Sequence, residues 1–433
     1  MSALTSQLKM KKKKFPENNK KQIVFFCATT PYVMIYKIAK EFKKRGYETV
    51  LITISQRDKW DINWYKDGFD KIICSNFQFF KPTIKNSFNM LKRTPFLLKS
   101  IYEMKKLKPY VVFAVARPNY ITALAMKFFK KYPVIYFPYD INSHFHEEFR
   151  EALKKGVKLY EINAERYCFE NAEGILHKGD PGELEFLNKK SMLGEPVKMT
   201  PLQICFHPYC SDEFMAQINK NKLSKKDKRL HIVYVGGLSS GEKDLNSYKI
   251  LFQKIINQKI HLHFYVKTQH LSNKESIGNL SPLIKYFFKN KYFHLEEPVP
   301  AKELASEISK YDFGIWVDHY LESSMEETSL YPNLTTGNKI SSFFEAGIPF
   351  IFPNSFRFVG NLTKKYQLNF EKEIDDFDSL NDDLKKLNYK KIEKKVIKAR
   401  KDFNNNNHFL ELEEFVKKVI AEKSKRNLLP NHI

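Results

Sequence analysis

Three stretches of the chain carry residue types at spacings that could hold an anion and move a proton. Residues 335–353, TTGNKISSFFEAGIPFIFP, place Ile340, Phe343 and Phe344 at i, i+3 and i+4, so a helix with one apolar face begins near Asn338. Thr335, Thr336 and Gly337 precede it and suit an N-cap. The free N–H groups and positive dipole end of such a start make a seat for a phosphate. Gly347 stops the helix, and Pro349 leads a short apolar strand, Phe350-Ile351-Phe352. An ordinary helix-to-strand junction has the same punctuation, so the stretch alone leaves both readings open. Lys339 can add charge there, although a lysine at a helix start is often simply solvated.

A second stretch, HIVYVGG, ends an apolar run on Gly236 and Gly237, which let a backbone approach a ligand closely. The third, FPYDINSHFHEE, follows the apolar run Val134–Phe137 and offers Asp140, His144, His146 and Glu147. A carboxylate or imidazole in a loop at a strand's carboxyl end can take a proton from a hydroxyl, and Asp140 and His144 are the candidates. Asp140 may equally cap a turn, and the histidines may be exposed polar residues. His144-x-His146 lacks a third ligand at clear spacing, so no metal site is assigned. Arg117, in AVARPNY, stands at another strand end, either to meet a charged acceptor or donor or to serve structure.

These residues need elements to position them. Apolar runs at 23–28, 49–54, 71–74, 111–116, 134–137, 173–177 and 202–206 read as strands, with helical spacing between several of them. Ile35, Ile38, Ala39 and Phe42 mark the first such helix, and Gly46 follows it. The pattern restarts at 231–237 and continues through 261–266, 292–295, 313–317 and 350–352. Strands alternating with helices predict α/β architecture with parallel, doubly wound sheets. The expected organisation is a basic, mobile N-terminus (1–20), a first domain (21–210), a charged linker (211–229), a second domain (230–406) and a terminal helical segment (407–433). That last helix has Leu412, Phe415, Val416, Val419 and Ile420 on one face.

Composition sets limits. A chain of 433 residues with 42% hydrophobic content can bury two cores. Lys plus Arg number 73 against 49 Asp plus Glu, a net charge of +24 that would attract phosphates, anionic lipid or nucleic acid. Lysine spread along the whole chain also fits a general compositional bias, and no nucleic-acid-binding motif is present, so no nucleic acid is expected as a partner. The stretch 77–106 mixes basic and apolar side chains and suits either an anionic membrane surface or core packing. No run approaches the ~20 apolar residues of a membrane span, and the lysine-rich start has no apolar segment after it. Five cysteines without metal spacing predict free thiols in a reducing, cytoplasmic setting, peripheral to the inner face of the membrane if the basic surface binds lipid.

Taken together, the stretches resemble GT-B glycosyltransferases of bacterial type. The resemblance rests on Asn338, Lys339, Phe344, Glu345, Ala346, Gly347 and Pro349, on VYVGGLSS (233–240), on ISKYDFGIWV (308–317) and on AEGILHKGDPGEL (172–184), and it covers roughly residues 21–425. It implies two Rossmann-like domains facing a central cleft, with a nucleotide-sugar donor on the second and the acceptor on the first. The donor would meet Gly236, Gly237, Thr336, Gly337, Asn338, Lys339, Ser342 and Glu345, and the C-terminal helix would cross back to the first domain or pack on its own. Many relatives carry a ribose-binding Glu where Ser342 stands, which leaves the nucleotide open. Gly337 stands eight residues before Glu345, so the Glu-x7-Glu pair of retaining members is absent and inversion is favoured. The implied activity is metal-independent sugar transfer to a glycan or lipid-linked acceptor in cell-surface polysaccharide or glycolipid synthesis, with no cofactor beyond the nucleotide-sugar co-substrate. A nucleotide-sugar epimerase and a catalytically silent GT-B scaffold are the competing readings.

Overall fold

A computed structural model describes residues 20–28, 31–54, 62–75, 88–116, 118–141, 150, 153, 158–189, 194–236, 242–265, 281–317, 334–354, 356–368 and 375–428. Arg117, His144, His146, Glu147, Gly237 and the N-terminal residues 1–19 lie outside the described residues. The first sheet contains β1 (Gln22–Cys27), β2 (Glu48–Ile54), β3 (Lys71–Ser75), β4 (Val111–Val115), β5 (Val134–Phe137), β6 (Gly174–His177) and β7 (Gln203–Cys205). All pairings are parallel, in the order β3-β2-β1-β4-β5-β6-β7. Helices α1 (Val33–Lys44), α2 (Phe88–Leu107), α3 (Asn119–Phe129), α4 (Leu159–Asn171) and α5 (Glu183–Lys189) run between or beside the strands. Strands β4 and β5 are buried along their whole length, which is why they read as unbroken apolar runs.

Helix α6 (Ser224–Asp227) leads into the second sheet, made of β8 (His231–Val235), β9 (His261–Tyr265), β10 (Phe293–Leu295), β11 (Phe313–Ile315) and β12 (Phe350–Ile351). It is again parallel, ordered β10-β9-β8-β11-β12. Its helices are α7 (Glu242–Asn257), α8 (Ser281–Phe287), α9 (Ala301–Ile308) and α10 (Asn338–Ala346), followed by α11 (Arg357–Lys364), α12 (Leu380–Lys386), α13 (Tyr389–Asp402) and α14 (Asn405–Leu428). The twelve strands expected from the sequence all form among the described residues, with ends shifted by a residue or two. In each sheet the strand order turns back at one point, between β1 and β4 and between β8 and β11. Crevices for ligands open beyond the carboxyl ends of the strands at such points.

Residues 211–229, polar in composition, are packed against both sheets' surroundings. Phe214 is buried against the ring of Tyr36, and the Ala216 N–H donates to the Glu345 carbonyl at 3.0 Å. Lys222 is buried and donates to the carbonyls of Ser309 (2.8 Å) and Tyr311 (3.0 Å), just past the end of α9. A lysine on those end carbonyls complements the helix dipole.

Helix α14 lies against the first sheet. Phe409 meets the Phe42 ring at 4.7 Å, Tyr47 donates to Glu413 at 2.8 Å, and Lys423 pairs with Glu173 at 2.7 Å. Gly174 allows this contact: a Cβ there would stand 2.5 Å from Val419 Cγ2 and 2.8 Å from Phe415 Cζ. We predict that Gly174→Ala pushes α14 outward and costs about 1–3 kcal/mol of stability. A denaturant melt reads it, and an unchanged midpoint would show that α14 does not depend on this contact.

Candidate functional site

Helix α10 starts with its donors open. Its N-cap, Gly337, has extended backbone (φ −125°, ψ 170°), and no side chain caps the first N–H groups. Thr336 beside it is 1% exposed, and its hydroxyl has no hydrogen-bond partner. A buried hydroxyl left unpaired costs about 1–3 kcal/mol, so this one has bonding capacity to offer a bound group. Gly236, after β8, faces the same spot. Its φ of +112° favours glycine, and a Cβ there would come within 2.9 Å of Lys339 Nζ. Lys339 reaches back over Tyr234, its ammonium 5.3 Å from the ring centre.

The first domain supplies the other wall. Asp140 follows β5 and Lys178 follows β6, neighbouring strands, so their side chains meet: Lys178 Nζ lies 2.7 Å from Asp140 Oδ1. Lys178 is buried and sits 4.0 Å above the ring of Tyr139, which stacks on Tyr32 at 3.6 Å. Asp180 N–H donates to the Leu334 carbonyl at 2.6 Å, which draws the loop after β6 onto the residues leading into α10. Lys178 is thereby close enough to be felt by Lys339. Desolvation, then the Lys178 charge, push the Lys339 ammonium down to about 7. Two lysines, one of them paired with Asp140, and an open helix start thus converge from two domains, an arrangement suited to an anion.

The structure brings together Asp140, Gly236, Thr336, Gly337 and Lys339 among the candidate residues. Ser342 turns its hydroxyl back to the Asn338 carbonyl at 3.1 Å. Glu345, expected at the donor, has its Oε1 committed elsewhere: Lys37 Nζ of α1 lies 2.6 Å away and Ser211 N–H donates at 2.7 Å. Both side chains of that pair are buried, and Lys37 also donates to Ser341 Oγ and the Tyr209 carbonyl, each at 3.3 Å. This pairing has a simple physical cause. Ser341 and Glu345 share the face of α10 turned towards α1, one helical turn apart.

Lys37 and Lys178 were not singled out from the sequence. Lys37 did leave a signal, as a charge set between Met34-Ile35-Tyr36 and Ile38-Ala39, where an unpaired lysine would be costly. We predict that Glu345→Ala loses about 3–5 kcal/mol, because it strands a buried ammonium. The double substitution Lys37→Met with Glu345→Leu should recover most of that loss in urea melts. Equal losses in the single and double variants would refute the pair's role.

No protein-family description and no curated protein matches the sequence. Solved structures do match. Sucrose-phosphate synthase from Thermosynechococcus elongatus superposes with a TM-score of 0.66 at 10% identity, covering 93% of this chain and 100% of that one. Anabaena HepE, in complex with UDP-glucose, gives 0.58 at 10% identity, over 94% of this chain and 98% of its own. A UDP-GlcNAc 2-epimerase from Neisseria meningitidis bound to UDP-GlcNAc gives 0.55 at 12% identity, over 92% and 100%. At these identities the likeness is one of fold.

Proposed function

Since the chain has the GT-B glycosyltransferase fold, we propose that it transfers a sugar from a nucleoside-diphosphate sugar to an acceptor hydroxyl. The observation that carries this reading is the meeting of Lys178, Lys339 and the unpaired Thr336 hydroxyl at the start of α10. The diphosphate would lie there, with backbone N–H groups and both ammonium groups taking up the charge that grows as the sugar leaves. The acceptor oxygen attacks the anomeric carbon, the bond from that carbon to the phosphate oxygen breaks, and Asp140 takes the hydroxyl proton. A single base with attack from the opposite face inverts the anomeric centre. In this reading Lys178 and Lys339 supply the positive charge that a metal provides elsewhere.

UDP sugars are the donors to try, because HepE, S. aureus MnaA and the Neisseria meningitidis epimerase were solved with UDP or its sugars. A lipid-linked acceptor fits the outer face of α2, where Leu98 and Tyr102 are exposed beside the exposed Lys99, Lys105 and Lys106. Among the described residues no helix is long and apolar enough to cross a membrane. Epimerisation is the second reading, favoured by the superposing 2-epimerases. Incubation with UDP-GlcNAc and no acceptor separates the two: epimer formation without sugar transfer would replace our reading.

Lys339 gives a pH signature. Donor phosphates favour its charged form, and that form is lost as pH rises through about 7. Affinity for a UDP sugar, whose phosphates do not titrate there, should therefore fall with rising pH and become weaker and flat in Lys339→Met. Calorimetric titration on both sides of that pH checks it, and a flat profile in the unaltered chain would count against the site. Thr336→Val should act in opposite directions, raising ligand-free stability by about 1–3 kcal/mol while weakening the donor. Asp140→Asn should slow transfer about a hundredfold or more without weakening donor binding, since it frees Lys178 for the phosphates; full turnover would remove Asp140 as the base.

A further inference from the structure

Far from this cleft, at the opposite ends of β8, β9 and β10, four histidines stack across the second sheet: His231, His261, His263 and His294. One line of contacts runs from carboxylate to carboxylate. Asp227 Oδ2 lies 3.1 Å from His231 Nε2, His231 Nδ1 lies 2.9 Å from His263 Nε2, and His263 Nδ1 lies 2.7 Å from Glu296 Oε1. Each neutral imidazole owns one N–H. Two protons therefore serve three contacts, and at one of them two acceptors face each other. The shortage falls most naturally at Asp227, because a second imidazole converges there. His261 Nε2 lies 3.0 Å from the same Asp227 Oδ2 and is a buried atom that makes no hydrogen bond.

We propose that Asp227, His231 and His261 form a site for a divalent transition-metal ion of the zinc type. Their three ligand atoms lie within 4.8 Å of one another. Ligands around tetrahedral zinc stand roughly 3.4 Å apart, so the two contacts to Asp227 are already near that spacing. The two rings, now stacked 6° from parallel with centres 4.4 Å apart, must tilt towards each other so that both in-plane lone pairs meet at the ion. One carboxylate with two imidazoles suits zinc, and Asp227 is exposed, leaving an entry path and room for water as a further ligand.

The supporting residues are in place as well. With the ion bound, His231 donates Nδ1–H to His263, which donates Nδ1–H to Glu296, an array that fixes tautomer and ring orientation. His261 Nδ1 meets His294 Nε2 at 2.8 Å. The ion would join α6, at the end of the interdomain segment, to the first residues of β8 and β9. Its role is to fasten that segment, not to touch the donor.

The test is a Co2+ titration of the tag-free full chain after chelator treatment, followed by visible absorption. One equivalent should give a tetrahedral-type band that Zn2+ abolishes, and Zn2+ should raise the melting temperature. Asp227→Asn and His261→Asn, with unaltered circular dichroism, should each lose the band. Absence of saturable binding would overturn the proposal and leave a shared proton as the missing cation. Binding that survives in both variants would overturn it too.

Discussion

One buried ion pair sets how the halves of this molecule meet. Lys37 stands on the first helix of the first domain and Glu345 on the helix whose start forms the candidate donor site. Such a pair contributes little net stability, because desolvating both ions offsets their attraction. What it does contribute is intolerance of error. If α1 and α10 slid apart, two charges would be left in an apolar boundary where Phe214, Phe344 and Phe403 exclude water. The Ser211 N–H and Ser341 hydroxyl complete the arrangement, so the helix carrying Thr336 and Lys339 has one allowed position relative to Asp140 and Lys178.

That dependence also explains what the sequence could and could not reveal. Strands such as β4 and β5, buried along their whole length, are apolar throughout and left continuous runs, from which the doubly wound class followed. The start of α10 was legible because its caps and its apolar spacing are local. The pairing of Glu345 was hidden for the opposite reason. Its motif neighbours are local, but its partner Lys37 lies 308 positions away, and nothing in either stretch announces the other. Lys178 was similarly hidden, since only the adjacency of β5 and β6 brings it to Asp140.

The histidines at the far end of the second sheet were hidden by the period of a strand. His261 and His263 alternate with Leu262 and Phe264, so both imidazoles point to one face while the apolar pair fills the other. Read singly, each looks like a polar residue near a strand start. Only the parallel register, which pairs His231 with His261 and His263 with His294, turns them into a contiguous stack.

The chain passes between its two halves twice, and the passages run side by side. Cys210 N–H donates to the Phe403 carbonyl at 2.9 Å, and Asn405 N–H donates to the Cys210 carbonyl at 2.7 Å, joining the outgoing and returning segments in one parallel bridge. Mechanically the two connections are stitched into one double strap. Two strands anchored together resist shear and twist about their own length far better than a single strap would. Neither passage can then shift without carrying the other, so the seat of α10 against α1 is held from the connecting segments as well as from the buried pair.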